Sequence, residues 1–117
     1  MDLKVVSNEE DVLRIEASGH VVTEGALPST DKLCALLGPR GFAQNVALSL
    51  AHAGFVNSQG LSWLLICHKR FAEAGGKFVL YSLPPWVQQT IQIMRLNLVL
   101  NVERDEAAAI QRIRGAT

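Results

Sequence analysis

The chain has 117 residues, of which 49% are hydrophobic and 19% are charged. This length suits one domain, and this composition supplies enough apolar residues for a core and excludes a disordered chain. Eleven basic residues balance eleven acidic ones. A general nucleic-acid binder needs an excess of positive charge, so we expect no direct nucleic-acid partner and predict one domain over residues 1–117.

The sequence carries no targeting signal that we can identify. Its first residues, Met-Asp-Leu-Lys, do not begin a basic region followed by an apolar one. No apolar run approaches the ~20 residues that span a bilayer. Cys34 and Cys67 have neither a CxxC nor a Cys/His spacing, which predicts two buried thiols in a reducing compartment. We therefore expect a soluble, cytoplasmic protein without a transmembrane segment.

Two strands and a turn open the chain. Residues 3–7 and 12–17 have the residue types of strands, and the polar stretch 8–11 between them predicts a hairpin. In the second strand two sets of residues alternate, as in a sheet with one face in water. The set expected to be buried is Leu13, Ile15 and Ala17, and the set expected to face solvent is Val12, Arg14 and Glu16.

Helices and strands alternate after the hairpin. A loop leads to a short helix that Ser29 or Thr30 would cap and Gly38-Pro39 would end, and residues 46–50 predict a central strand covered on both faces. The later predicted elements are a helix over 58–74, a strand over 77–83, a helix over 86–94, a strand over 98–102 and a helix over 105–113. The order β-β-α-β-α-β-α-β-α predicts an α/β fold with a mixed sheet of about five strands and four helices.

The segment 55–61, Phe-Val-Asn-Ser-Gln-Gly-Leu, joins the central strand to the second helix. The N–H groups in the first turn of a helix have no partners within the helix. Asn57 or Ser58 can cap them, which stabilises a helix by about 1 kcal/mol. The same groups can hold an anion or an acceptor group of a partner. We therefore predict that Asn57, Ser58, Gln59 and Gly60 form a partner-binding site.

No catalytic or metal-binding set accompanies this segment. Ser58 lacks the GxSxG spacing because Gly54 lies four residues before it. The sequence places no carboxylate where it would orient His52. The three histidines, His20, His52 and His68, lack the spacing of metal ligands. We expect neither an enzyme nor a bound metal or cofactor.

The sequence predicts different surroundings for the two tryptophans, Trp63 and Trp86. If Leu61, Leu64 and Leu65 face the sheet, Trp63 points away from it. Trp63 then either packs under a neighbouring loop or helix or is an exposed anchor for a protein partner, because tryptophan is enriched at interface hot spots. Both alternatives stay open, and Trp63 is included in the predicted partner-binding site. Trp86 is expected to pack at the start of its helix.

These features together resemble the STAS domain of bacterial anti-sigma factor antagonists. The resemblance rests on the order of the elements, Gly19 after the second strand, the segment 55–61 and Gly75-Gly76-Lys77 before the fourth strand, and it covers nearly all of the chain. In that family the loop reads Asp-Ser-Ser/Thr-Gly. The hydroxyl residue before the glycine is phosphorylated by an anti-sigma factor that is also a serine kinase. The resemblance implies a domain that binds the kinase when unphosphorylated and so frees the sigma factor.

This sequence departs from the family pattern in the loop itself. Asn57 stands in place of the Asp, Ser58 matches the first Ser, and Gln59 occupies the phosphoacceptor position. Ser58 is a possible substitute phosphorylation site, and helix capping is its alternative role. The resemblance leaves two functions open. One is an antagonist that binds a kinase-type anti-sigma factor, and the other is a STAS subunit of a larger assembly, either on the ATPase of a lipid-transport ABC complex or in a stress-signalling scaffold.

Overall fold

The computed structural model describes residues 2–9, 12–21, 31–56 and 58–115. Within these residues the order of elements is β-β-α-β-α-β-α-β-α, which confirms the sequence prediction. The strands are β1 (Asp2–Asn8), β2 (Leu13–Val21), β3 (Val46–Val56), β4 (Phe78–Tyr81) and β5 (Asn101–Glu103). The helices are α1 (Asp31–Leu37), α2 (Ser58–Ala74), α3 (Pro85–Ile93) and α4 (Glu106–Ile113). None of the described helices is long and apolar enough to cross a membrane.

The strands form one mixed sheet in the order β1-β2-β3-β4-β5. β1 and β2 are antiparallel, as the predicted hairpin requires, and the other neighbouring strands are parallel. β3 runs much further than β4: its last pairing with β4 joins Ser49 to Tyr81, whereas its pairing with β2 continues to Val56. Residues 50–56 of β3 therefore extend past β4 and, in the described sheet, pair with β2 alone.

The core lies on both faces of the sheet. One face packs against α1, α2 and α3, and its buried strand residues include Leu13, Ile15 and Ala17, as predicted. The other face is covered by α4. All five residues of the predicted central strand, 46–50, are buried, which confirms its place between two layers. The expectation that Val12 faces solvent is wrong, because α4 covers that face and leaves Val12 1% exposed.

The structure also corrects the prediction for the segment between α3 and β5. The sequence predicts a strand over 98–102, but β5 begins at Asn101 and a short 3-10 turn, Leu96–Leu98, precedes it. The reason is local, because Arg95 adopts a left-handed conformation (φ 58°) that ends the helical path. Met94 and Leu98, which the sequence places in a helix face and a strand, are exposed.

One expectation about a single side chain is wrong as well. Cys67 is buried as predicted, but Cys34 on α1 is exposed. Trp86 lies at the start of α3, as expected, and is 40% exposed there. The predicted caps of α1, Ser29 and Thr30, lie outside the described residues.

Candidate functional site

The N-terminus of α2 lies at the far end of the β2–β3 extension. Val21, the last residue of β2, pairs with Val56, the last residue of β3, and α2 begins two residues later at Ser58. A helix of 17 residues is about 25 Å long. Its other end lies near the start of β3, so a long β3 is needed to bring the chain to the beginning of α2. We call residues 58–62 the α2 tip.

The structure describes some of the predicted loop residues and not others. Asn57 lies outside the described residues, and so does the side chain of Ser58, whose backbone begins α2. Gln59 is half-buried and Gly60 is buried. The capping roles predicted for Asn57 and Ser58 thus remain predictions. Gln59 is the residue of the predicted loop whose described side chain reaches the surface.

The burial of Gly60 shows which face of α2 meets the sheet. Gly60, Leu64, Cys67 and Phe71 are buried and follow each other at helical spacing. Phe71 stacks on Phe78 of β4 with ring centroids 5.0 Å apart. This row fixes the rotation of α2 about its axis and therefore decides which residues of the tip face outward.

Trp63 is part of the core and not an exposed anchor. Its side chain is 1% exposed and belongs to the main hydrophobic cluster. The sequence interpretation centred the buried face on Leu61, Leu64 and Leu65, but Leu65 is only half-buried. At about 100° per residue, Trp63 lies ~60° from Gly60 around the helix, on the flank of the buried face. The prediction that Trp63 contacts a partner is therefore wrong for the folded chain, and the packing alternative is correct.

Ser62 is an outward-facing residue that the sequence reasoning missed. It is exposed, and it follows Ser58 by four residues, which places the two on the same side of a helix. Lys69, two turns further along, is exposed as well. A signal for this face is present in the sequence, because polar residues recur at helical spacing at 58, 62 and 69. Among the tip side chains that the structure describes, Gln59 and Ser62 therefore form the outward surface, with Lys69 further down the helix.

The tip carries no formal charge. The sequence contains no Asp, Glu, Lys or Arg between Arg40 and Lys69, and the first turn of α2 has no acidic residue. The partial positive charge at the start of a 17-residue helix is therefore not offset by a carboxylate of that turn. Such an end favours a negatively charged or hydrogen-bond-accepting group from another molecule.

His52 has a carboxylate neighbour that the sequence did not indicate. Pairing of β2 with β3 brings Nε2 of His52 to 3.4 Å from Oε1 of Glu16. The expectation that no carboxylate is placed to orient His52 is therefore wrong. The imidazole is largely exposed to solvent, so this pair is a surface contact. Among the described residues, no group of three His, Cys, Asp or Glu side chains could hold a metal ion.

Comparison with known proteins identifies the family and the fold of this chain. The family model of the STAS domain matches residues 4–109. An anti-sigma-factor antagonist (STAS) domain protein from Planctomyces limnophilus is similar in structure, with a TM-score of 0.71, 21% identity and coverage of 97% of this chain and 99% of that chain. The anti-sigma factor antagonist SpoIIAA in its unphosphorylated form is similar with a TM-score of 0.70, 17% identity and 99% coverage of both chains.

A membrane transporter contains a similar domain. The murine solute carrier 26 family member A9 anion transporter matches 93% of this chain with 18% of its own length, at a TM-score of 0.69 and 13% identity. At identities this low, the likeness to these three structures shows the shared fold.

Proposed function

Because this chain belongs to the STAS domain family, we propose that it is an anti-sigma factor antagonist whose α2 tip binds a kinase-type anti-sigma factor. Binding would free the sigma factor and so promote sigma-factor-dependent transcription. The observation that carries the proposal is the pairing of an uncharged, outward-facing helix start with the family fold. The chain acts in this proposal as a binding module and not as an enzyme.

Gln59 determines how such a complex is controlled. It occupies the position at which the family carries the phosphorylated hydroxyl, and its amide cannot accept phosphate. In the family switch, a phosphate brings almost two negative charges into a close interface, where they repel unless a cation meets them. With Gln59 that charge cannot arrive at this position. The complex is therefore constitutive or responds to a signal other than phosphorylation of residue 59.

Ser58 is the candidate for a shifted switch. It is the first residue of α2, where a phosphate gains from the helix dipole. Phosphate on Ser58 would therefore stabilise α2 while adding negative charge to the partner-binding face. These two effects have opposite signs, so they can be separated by measuring the unfolding of the free chain and the affinity of the complex.

The experiment mixes the purified chain with purified kinase-type anti-sigma factors from the same genome, with and without ATP. We expect size-exclusion chromatography to show a complex that does not dissociate when ATP is added. Mass spectrometry should find no phosphate on residue 59. The variant Gln59→Ser restores a hydroxyl at the family position and is expected to be phosphorylated and released. Gln111→Ser, on the exposed side of α4, is the matched control.

A variant that adds a negative charge to residue 59 tests the partner-binding role of the α2 tip directly. Gln59→Glu places a carboxylate in the first turn of α2, so it should stabilise the free chain by about 0.5 kcal/mol and weaken the complex. If no anti-sigma factor binds, or if Gln59→Glu leaves the affinity of a complex unchanged, the proposal is wrong. Stoichiometric phosphate on Ser58 together with release would show that the switch has moved by one residue.

The second candidate function is a STAS subunit of a larger assembly. Two observations favour it: Gln59 removes the usual phosphoacceptor, and the same fold forms a segment of a much longer transporter chain. Such a subunit would bind the ATPase of a lipid-transport ABC complex or a stress-signalling scaffold. Recovery of an ABC ATPase with the tagged chain, in a complex that no anti-sigma factor displaces, would support this candidate over the first.

A further inference from the structure

Two pairs of apolar side chains are exposed at the end of α3 and in the chain that leads to β5. They are Ile93 at 74%, Met94 at 53%, Leu98 at 78% and Val99 at 51% exposure. We call these four residues the α3 patch. Exposed apolar residues that occur singly are ordinary, but a contiguous group on a small domain marks an interaction site.

The α3 patch lies at the opposite end of the sheet from the α2 tip. α3 starts just after the carboxyl end of β4 and runs back, so that its last residue and the Leu96–Leu98 turn precede the amino end of β5. The α2 tip follows the carboxyl end of β3. The two surfaces are therefore distinct, and one can be occupied without covering the other.

The charge pattern around the patch is that of an interface. Between Lys77 and Glu103 the sequence contains one charged residue, Arg95. Arg95 lies between the two pairs of patch residues in sequence, is exposed, and forms no salt bridge with any residue that the structure describes. Interface centres are depleted of charged residues and enriched in Met and Arg. The α3 patch fits this composition.

A cleft adjoins the patch. It has a volume of about 260 Å³, and Ile91, Leu100 and Val102 supply its apolar lining, with Gln92, Asn97 and Arg112 among its polar residues. The guanidinium of Arg112 donates to Oε1 of Glu103 at 2.9 Å and to Oδ1 of Asn101 at 2.7 Å, which fixes it at the edge of the cleft. This volume is below the range of small-molecule sites and suits a protruding side chain.

We propose that the α3 patch and this cleft bind an amphipathic helix of a partner protein, with one apolar side chain in the cleft and a carboxylate opposite Arg95. The helix supplies the apolar face that covers the patch. The carboxylate follows from charge complementarity, because Arg95 has no acidic neighbour between residues 78 and 102.

The same charge argument decides against two other occupants. A two-fold dimer would bring this surface against itself and place Arg95 near its own copy, and the carboxylate at the edge of the cleft, Glu103, is already bound to Arg112. A lipid surface attracts helices with several basic residues on their polar side, and this surface has two, Arg95 and Arg112, of which Arg112 is already paired with Glu103. An acidic amphipathic helix is the occupant that meets both the apolar residues and Arg95.

The test uses displayed amphipathic helical peptides that share one apolar face and vary at the outer positions, selected on the full chain. We expect the selected peptides to be enriched in Asp and Glu. Titrated into the ¹⁵N-labelled chain, they should shift the amide signals of residues 93–100 and not those of the α2 tip. Leu98→Ser should lower the affinity about tenfold. Arg95→Glu should reverse the preference from acidic to basic peptides.

Val6→Ser is the matched control, because Val6 is another exposed apolar residue, 55% exposed, on β1 at the opposite edge of the sheet. It should leave the affinity unchanged. Unfolding in urea checks that each variant is folded. The proposal is overturned if no peptide is selected or if the peptides shift the signals of Gln59 to Ser62. It is also overturned if Leu98→Ser instead abolishes a concentration-dependent dimer or binding to anionic lipid vesicles. Because the two surfaces are distinct, none of these results decides the role of the α2 tip.

Discussion

Gly76 lies against the backbone of Gln44 with no room for a side chain. A Cβ atom at Gly76 would be 2.3 Å from the carbonyl oxygen of Gln44 and 2.4 Å from that of Phe42. Gln44 is itself fixed, because its Nε2 donates to the carbonyl oxygens of Leu37 and Gly41, each at 2.8 Å. This contact joins the end of α2 to the segment before β3 and so helps to position α2 on the sheet.

Gly76→Ala should therefore lower the free energy of unfolding by about 3 kcal/mol, because the backbone atoms that face the new Cβ cannot move aside cheaply. Gly75→Ala is the control. Gly75 has a left-handed φ of 84° but open space around its Cβ position, so that variant should lose only about 1 kcal/mol. Urea unfolding followed by circular dichroism measures both values. Equal losses of unfolding free energy in the two variants would mean that the backbone around residue 76 moves to make room for the new Cβ atom.

Trp63→Ala should destabilise the chain by about 3–5 kcal/mol, since it removes a large buried side chain and leaves a cavity. Trp86→Ala, which removes a 40% exposed ring, should lose less than about 1 kcal/mol. Binding of any partner, measured per folded molecule, should be the same for Trp63→Phe and the unchanged chain. A loss of binding by Trp63→Phe without a loss of stability would restore the anchor interpretation.

The two cysteines should react very differently with a thiol reagent. Burial raises the pKa of Cys67 to about 12, with the charge of Cys34 adding to the effect and Arg70 opposing it. At pH 8 about one Cys67 in ten thousand is a thiolate, and the side chain is fully buried. We expect one fast equivalent of thiol per native chain, lost in Cys34→Ser and kept in Cys67→Ser. Two fast equivalents in the native chain would contradict the burial of Cys67.

Stability should fall as the pH rises above 9. The pKa of Cys67 is raised on folding, so the folded chain holds this proton more tightly than the unfolded chain. The contribution is complete below pH 9, the unfolded pKa, and is lost towards pH 12 at up to about 1.4 kcal/mol per pH unit. Burial also raises the pKa of Tyr81, which acts in the same direction. Urea unfolding at pH 8.0, 9.5 and 10.5 should show a smaller slope for Cys67→Ala than for the unchanged chain.

The ion pair between Arg14 and Glu106 should give a small, salt-sensitive coupling. Arg14 also contacts Glu9 at 2.9 Å, and Glu9 contacts Arg114 at 2.9 Å, so charges of alternating sign join α4 to the hairpin. Because Glu106 is largely exposed, we expect a coupling of about 0.5–1 kcal/mol from a double-mutant cycle with Arg14→Met and Glu106→Gln, reduced in 1 M NaCl.

The control cycle uses Arg104 and Asp105, which are 3.4 Å apart and more exposed. Their coupling should be near zero because solvent screens both groups. If both cycles gave the same coupling energy, the neighbouring charges around Arg14 would not strengthen its ion pair with Glu106.

Local sequence patterns predicted the positions of the strands and helices well. They predicted poorly which side chains of those strands and helices are exposed. The alternation of Leu13, Ile15 and Ala17 identified a buried strand face because strand periodicity depends only on neighbours along the chain. The burial of Val12 depends on α4, which lies almost a hundred residues later. The sequence left the side of Trp63 open and placed Leu65 too centrally on the buried face of α2, because this apolar helix can rotate by about a quarter turn with little change in its sequence pattern.

What the sequence determined by itself is the order of strands and helices, the start of α2 at Ser58 and the presence of Gln59, which cannot accept phosphate, directly before Gly60. These follow from spacing, chain-breaking residues and residue identity. Only the tertiary structure decided that Trp63 is buried, that Ser62 faces outward, that Glu16 meets His52, and that the α3 patch is uncovered. Each of these depends on which distant element packs against a given face, and packing between distant elements leaves no periodic mark in a single sequence.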